Sequence, residues 1–173
     1  MTRINSFKPL VDKKSEILIL GTIPGEKSLE ANCYYGNAKN HFWDIIYRTL
    51  KPNHDFYELV GAKPKTEKYK LLLDNGIGLW DIIESCERTG SSDSKIKNEV
   101  LNDLHSFFQR NMNIKTVLFN GGKAQKYFLK QYSINQFPDV DFQRLNSTST
   151  LNPNNTFEIL NEWKRKIKTL ANN

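Results

Sequence analysis

The chain has 173 residues, the length of one compact domain spanning 1–173, with 38% hydrophobic and 25% charged residues, a balance that excludes both a disordered polymer and a membrane span. Its longest purely apolar run, Ile17–Leu20, falls far short of the roughly 18 residues a transmembrane helix needs, and Met1–Asn5 is polar, without the apolar core of a signal peptide. The expectation is a soluble cytoplasmic protein, and a net charge of +6 with Lys and Arg spread along the whole chain suits a polyanionic partner.

Four short apolar runs read as buried strands: Glu16–Leu20 closing at Gly21, Gly76–Trp80, Lys115–Phe119 and Phe142–Leu145. Helical spacing falls between them. Phe42, Ile45, Ile46, Thr49 and Leu50 share one face, and Thr66–Asp74 predicts a short helix after a Pro- and Lys-containing loop. Polar Ser85–Ser92, with Gly90, predicts a loop. A helix is expected over Ile96–Phe108, its stripe being Ile96, Val100, Leu101, Leu104, Phe107 and Phe108 behind an N-cap at Asp93 or Ser94. Another follows Gly122 with Ala124, Tyr127 and Phe128 inward. The last carries Phe157, Leu160, Trp163, Ile167 and Leu170 on one face and lysines and Arg165 on the other. Alternating strands and helices predict an α/β fold.

In such a fold, ligands sit beyond the carboxyl ends of the strands. Those ends carry Gly21–Gly25, Asp81, Asn120–Gly122 and Asn146–Asn152, so four polar or glycine-rich segments converge. Gly21-Thr22-Ile23-Pro24-Gly25 offers backbone N–H groups to a base carbonyl or a phosphate, or is an ordinary strand-to-helix turn; it is neither a P-loop nor a dinucleotide fingerprint. In Cys33–Trp43, the loop aromatics can stack on an exposed base, while Phe42 and Trp43 belong to the core. Asp81 either reads a ligand N–H or caps the next helix. Ser147-Thr148-Ser149-Thr150 suits phosphate oxygens and is equally ordinary loop composition. Cys33 and Cys86 have no CxxC spacing and are expected to be reduced. His41, His54 and His105 stand too far apart for a zinc motif. No metal or cofactor is expected, and no nucleophile elbow or Ser-His-Asp order appears.

In this order, the segments resemble the uracil-DNA glycosylase superfamily, and within it the hypoxanthine (deoxyinosine) DNA glycosylase branch. The resemblance rests on Gly21–Gly25 followed by Tyr34-Tyr35-x-x-x-x-Asn40-x-Phe42-Trp43, on Gly76–Asp81 continuing through Glu84-Ser85-Cys86, on Gly90-Ser91-Ser92-Asp93-Ser94, and on Asn120-Gly121 and Leu145–Ser149. It covers residues 15–165. The fold it implies is a three-layer α/β/α sandwich around a short, mostly parallel central sheet. The activity it implies is extrusion of a deaminated base from double-stranded DNA by a monomer, nucleoid-associated when bound, and hydrolysis of its N-glycosidic bond without a cofactor.

On these residues the resemblance implies that Tyr35 stacks on the flipped base and Asn40 positions the attacking water. Asp81 and Asn120 contact the base together with Gly21, Thr22 and Ile23, and Ser147, Thr148 and Ser149 press on the DNA backbone. Ile23 stands where several branches place a catalytic Asp or Asn, which moves that role to Asn40. Asn37-Ala38-Lys39 stands where the branch shows His-Pro-Arg, Asn146 replaces the usual proline, and Thr150-Leu151-Asn152 replaces Pro-Ala-Asn. Alternatives are a uracil- or mismatch-specific glycosylase, a hydrolase of free nucleosides or nucleotides, and a non-catalytic basic DNA-binding module.

Overall fold

A computed structural model describes residues 2–52, 63–150, 152 and 156–171. His54, most of the loop expected before the Thr66–Asp74 helix, and Leu151 of the Thr150-Leu151-Asn152 segment lie outside the described residues. The chain order is β1 (Thr2–Asn5), β2 (Ile17–Gly21), α1 (Glu26–Glu30), α2 (Phe42–Leu50), α3 (Lys65–Asp74), β3 (Ile77–Asp81), β4 (Ile83–Arg88), β5 (Lys97–Leu101), α4 (Leu104–Arg110), β6 (Thr116–Asn120), α5 (Gly122–Gln131), β7 (Asp141–Leu145) and α6 (Thr156–Ala171).

The four apolar runs form one parallel sheet in the order β3-β2-β6-β7. Alternate residues of its strands feed two cores. Leu18, Leu20, Trp80, Val117 and Phe119 meet α4 and α5 on one face, while Ile17, Ile19, Ile77, Leu79 and Leu118 meet α2, α3 and α6 on the other. Full burial of β2, β3 and β6 on both faces explains their near-continuous apolar sequence. This is the expected three-layer α/β/α arrangement. Crossovers from β2 to β3 and from β6 to β7 lie on opposite faces, so the chain direction switches between β2 and β6, and a crevice opens there.

A second, three-stranded antiparallel sheet, β1-β4-β5, was not legible in the sequence. Ser85–Ser92 is therefore not a loop: β4 occupies its first half and pairs Ile4 with Cys86 and Ser85 with Val100. The single helix expected over Ile96–Phe108 is also corrected. Lys97–Leu101 is a strand because β4 offers an unpaired edge, and Val100, placed in the helical stripe, is 44% exposed. The helix begins only at Leu104, where the Asp103 carboxylate accepts the Ser106 N–H at 3.0 Å. In α6 the inward residues are Ile159, Trp163 and Ile167, whereas Phe157 faces out. No helix among the described residues is long and apolar enough to cross a membrane.

Candidate active site

A cavity of about 690 Å³ opens at the carboxyl ends of β2, β3 and β6, beside the segment that follows β7. Gly21, Thr22, Ile23, Tyr35, Asn40, Asp81, Asn120, Ser147, Thr148 and Ser149 all line it. Segments separated by more than a hundred residues thus converge because parallel strands end at one edge of the sheet.

Asp81 ends β3 and is buried. Its backbone carbonyl accepts the Asn102 amide at 2.8 Å, and because β4 and not a helix follows it, its carboxylate is not a helix cap. Oδ2 accepts the Ser6 hydroxyl at 2.7 Å. Oδ1 lies over Gly21, so close that a Cβ built on this glycine would stand 2.6 Å from it and 3.2 Å from the Tyr35 hydroxyl. Only glycine fits beneath these two groups. Burial pushes the Asp81 carboxyl up to about 7; the Ser6 hydrogen bond opposes the rise, the Asp93 carboxylate adds to it and the Arg88 guanidinium opposes it.

Tyr35 holds a left-handed backbone, with φ at 53°. One face of its ring is stacked on Phe42, centroids 3.8 Å apart, so an extruded base has only the opposite face for stacking. Burial and then the Asp81 carboxylate push its phenol above the ordinary range, against a hydrogen bond from Asn120. Tyr34 is inside the core and Phe42 and Trp43 are buried, as expected of them. The Trp43 indole donates to the Tyr34 carbonyl at 2.9 Å, fixing the loop on which Tyr35 stands.

Asn40 lies at the start of α2, where its Oδ1 accepts the Phe42 N–H at 2.9 Å. The cap and the site are one residue: a side-chain carbonyl has two lone pairs, and the second remains available to a water in the cavity. The next residue, His41, donates its N–H to the Thr148 carbonyl at 3.1 Å. Thr148 is fully buried, and its N–H and hydroxyl engage the two ends of the Asn120 amide at 2.9 and 3.0 Å. The Thr148 side chain is thus turned to Asn120 and has no exposed surface in this structure. Ser147 and Ser149 remain half-buried beside it on the cavity wall. The Asn120 amide is likewise committed to Thr148 and Tyr35, which makes it a clamp between β6 and the loop.

Four of the five carbonyls of the Gly21–Gly25 turn are engaged within the protein. Gly21 and Thr22 accept the Ile82 and Ile83 N–H groups at 2.9 and 3.0 Å, Pro24 accepts Arg88 at 2.6 Å, and Gly25 accepts Ser28 at 3.0 Å. Ile23 is also on the cavity wall. Sequence reasoning gave no role to Ser6 and Arg88, and gave Asp93 only that of an N-cap and a member of the Gly90–Ser94 turn; all three stand behind or on this wall. The Arg88 guanidinium is buried, Nη1 stands 3.9 Å from the Asp93 carboxylate, and Nε and Nη1 have no hydrogen-bond partner among the described residues. Burial raises Asp93, opposed by a hydrogen bond from Thr22 and by Arg88 and Lys123. Lys27, Lys123 and Arg144 stand exposed at the rim. Among the described residues no group of three or more His, Cys, Asp or Glu side chains is placed to hold a metal ion.

Comparison with known proteins agrees with this geometry. Residues 8–168 match the family model of the uracil DNA glycosylase superfamily. Two relatives named hypoxanthine DNA glycosylase are similar: that of Methanosarcina acetivorans, 36% identical over 121 residues, and that of Methanosarcina barkeri, 35% identical over 125. Each alignment covers 70% of this chain and 73% of the relative. A solution NMR structure of a protein from Methanosarcina acetivorans superposes with a TM-score of 0.80 at 30% identity, covering 98% of this chain and 99% of that one. The chain belongs to the uracil DNA glycosylase superfamily.

Proposed function

We propose that the protein is a monofunctional DNA glycosylase, active as a monomer, that extrudes a deaminated base from duplex DNA, hypoxanthine before uracil, and hydrolyses its N-glycosidic bond. The observation that carries this reading is the buried Asp81 carboxylate, with one oxygen lying over Gly21 in a cavity that also holds Asn40. An ionised Oδ1 accepts the N1–H of hypoxanthine or the N3–H of uracil. Adenine has no hydrogen at N1 and leaves the buried carboxylate unpartnered, which excludes it. The names of the Methanosarcina relatives favour hypoxanthine as the first substrate.

The reaction needs a water oxygen delivered to C1′ as the C1′–N bond breaks and its electron pair leaves with the base. The water proton passes to solvent or to the departing base. An amide is too weak a base to deprotonate water, so Asn40 orients it through the free lone pair of Oδ1. Charge in the oxocarbenium-like transition state is met by fixed groups: the Gly21–Gly25 turn toward a base carbonyl, and Lys27, Lys123 and Arg144 at the rim toward phosphates. Lys39 is exposed and is not on the cavity wall, which agrees with a hydrolase lacking a lyase step.

The test uses duplexes carrying a single hypoxanthine or uracil, scored for abasic sites, with Asn40→Ala and free inosine beside them. Hypoxanthine release that falls at least about 100-fold in Asn40→Ala, with duplex binding retained, is the expected result. Salt-sensitive binding without release of either base refutes the enzyme reading; release from free inosine alone refutes the DNA substrate.

A further inference from the structure

Acceptance of an N1–H separates hypoxanthine from adenine but not from guanine. Guanine presents the same N1–H and C6 carbonyl, and adds a 2-amino group next to them. A carboxylate free to turn both oxygens to the cavity would pair with the guanine N1–H and amino group together, favouring the normal base. Selection against guanine therefore depends on how many oxygens Asp81 presents.

We infer that Ser6 is a positioning residue for selectivity: it holds Oδ2 of Asp81 away from the cavity and leaves one oxygen for the ligand, an acceptor that suits hypoxanthine and strands the guanine amino group. This rests on the glycosylase reading above. Three observations carry it. The Ser6 hydroxyl donates to Oδ2 at 2.7 Å, and Ser6 is not on the cavity wall, whereas Asp81 is. The Ser6 N–H donates to the Glu84 carbonyl at 2.7 Å, prolonging the β1–β4 pairing, so the backbone fixes where the hydroxyl stands. The other oxygen, Oδ1, is the one lying over Gly21 near the Tyr35 hydroxyl, and that hydroxyl takes the Asn120 amide. A buried amino group left without an acceptor is disfavoured by on the order of 10-fold or more.

The experiment compares single-turnover release from duplexes with hypoxanthine or guanine opposite thymine, two wobble pairs of similar cost to open, at about pH 8.5. Wild type is expected to prefer hypoxanthine by at least about 100-fold. The ratio falls about 10-fold in Ser6→Ala and Ser6→Cys, which lack a good hydroxyl donor, and returns toward wild type in Ser6→Thr. Thermal melting verifies that each variant is folded, and Ser6→Cys carries the test if Ser6→Ala is not. An unchanged ratio in the folded variants, or guanine release that stays below detection in both, overturns the role of Ser6 while leaving the glycosylase reading intact. Wild type that releases neither base overturns that reading itself, and the inference with it.

Discussion

Replacing Asp81 with Asn isolates the energetic cost of the feature that defines the site. The folded carboxyl titrates near 7 and the ordinary value is 3.8. Below about pH 4 both folded and unfolded states hold the proton. Between there and pH 7 the unfolded chain has released it while the folded chain retains it, so stability falls as pH rises, and above the folded value the loss is complete. A gap of about three units at roughly 1.4 kcal/mol each gives a loss on the order of 4 kcal/mol. Asp81→Asn keeps the shape and an acceptor for Ser6 but removes the titration. Removal of one carboxylate also relieves Asp93, which lies close enough to raise Asp81.

Paired denaturant titrations of the two proteins between pH 5 and 8.5 read this, since titrating groups other than the neighbouring Asp93 cancel in the difference. The variant should gain on wild type progressively through pH 5–7 and then hold a constant advantage of a few kcal/mol. Hypoxanthine release by wild type should rise along the same curve, reaching its plateau above about pH 7, because the carboxylate accepts N1–H only when ionised. The variant, more stable, should lose selective hypoxanthine release. A stability difference that is flat across this range would refute the burial argument. Full, selective activity in Asp81→Asn would refute its role in reading the base.

Three further perturbations test the supports of the cavity. Gly21→Ala drives a methyl to 2.6 Å from Asp81 Oδ1 and 3.2 Å from the Tyr35 hydroxyl; displaced by even part of an ångström, these groups should leave release slower by about 100-fold, with duplex binding little changed by gel shift. Thr148→Val removes the hydroxyl that meets Asn120 and should cost about 1–3 kcal/mol by chemical unfolding and lower kcat more than it raises KM, with Thr148→Ser restoring both. Arg88→Met leaves Asp93 without its buried cation and the Pro24 carbonyl without its donor, for a loss on the order of 3 kcal/mol. Because Arg88 also holds Asp81 down, the acid limb of base release should move to higher pH in that variant.

The layered fold was legible because β2, β3 and β6 are buried on both faces and leave continuous apolar runs that a reader of sequence can find. The antiparallel sheet left no such trace. Lys97–Leu101 is mostly exposed, and the Ile96–Phe108 stripe matched a helix only by joining a strand to the start of α4 across Asn102. Asn102 in turn holds that junction to Asp81 through its amide. The cavity-lining residues were found from strand ends and motif order. Ser6 was not, because its contact with Asp81 spans 75 residues of chain and no local pattern marks it. Asp93 read only as an N-cap candidate and part of the Gly90–Ser94 turn, and no local pattern marks Arg88, whose guanidinium the fold buries against the Pro24 carbonyl. Thr148 looked like a phosphate contact because composition gives no direction to a side chain.

The same contacts that hide from sequence also join the two ends of the chemistry. Asn120 grips Thr148 through both ends of its amide, and Thr148 grips the first turn of α2 through the His41 N–H. That turn holds Asn40, whose Oδ1 is pinned by the Phe42 N–H. Meanwhile Ser147 and Ser149, on either side of Thr148, face the cavity wall where a DNA strand would lie. A load applied to this loop by the backbone of a bound duplex would therefore reach the Asn40 amide, proposed above to position the water, through a chain of hydrogen bonds whose Asn120–Thr148 part is buried. Two neutral amides and a threonine perform this without adding charge near Asp81, whose carboxyl already titrates near neutrality. A lysine or arginine in place of Asn120 could not accept the Thr148 N–H and would favour the ionised form of Asp81. A carboxylate there would drive it permanently neutral. Amide clamps around a buried acid fix geometry and leave the charge of Asp81 to be set by burial, Ser6, Asp93 and Arg88.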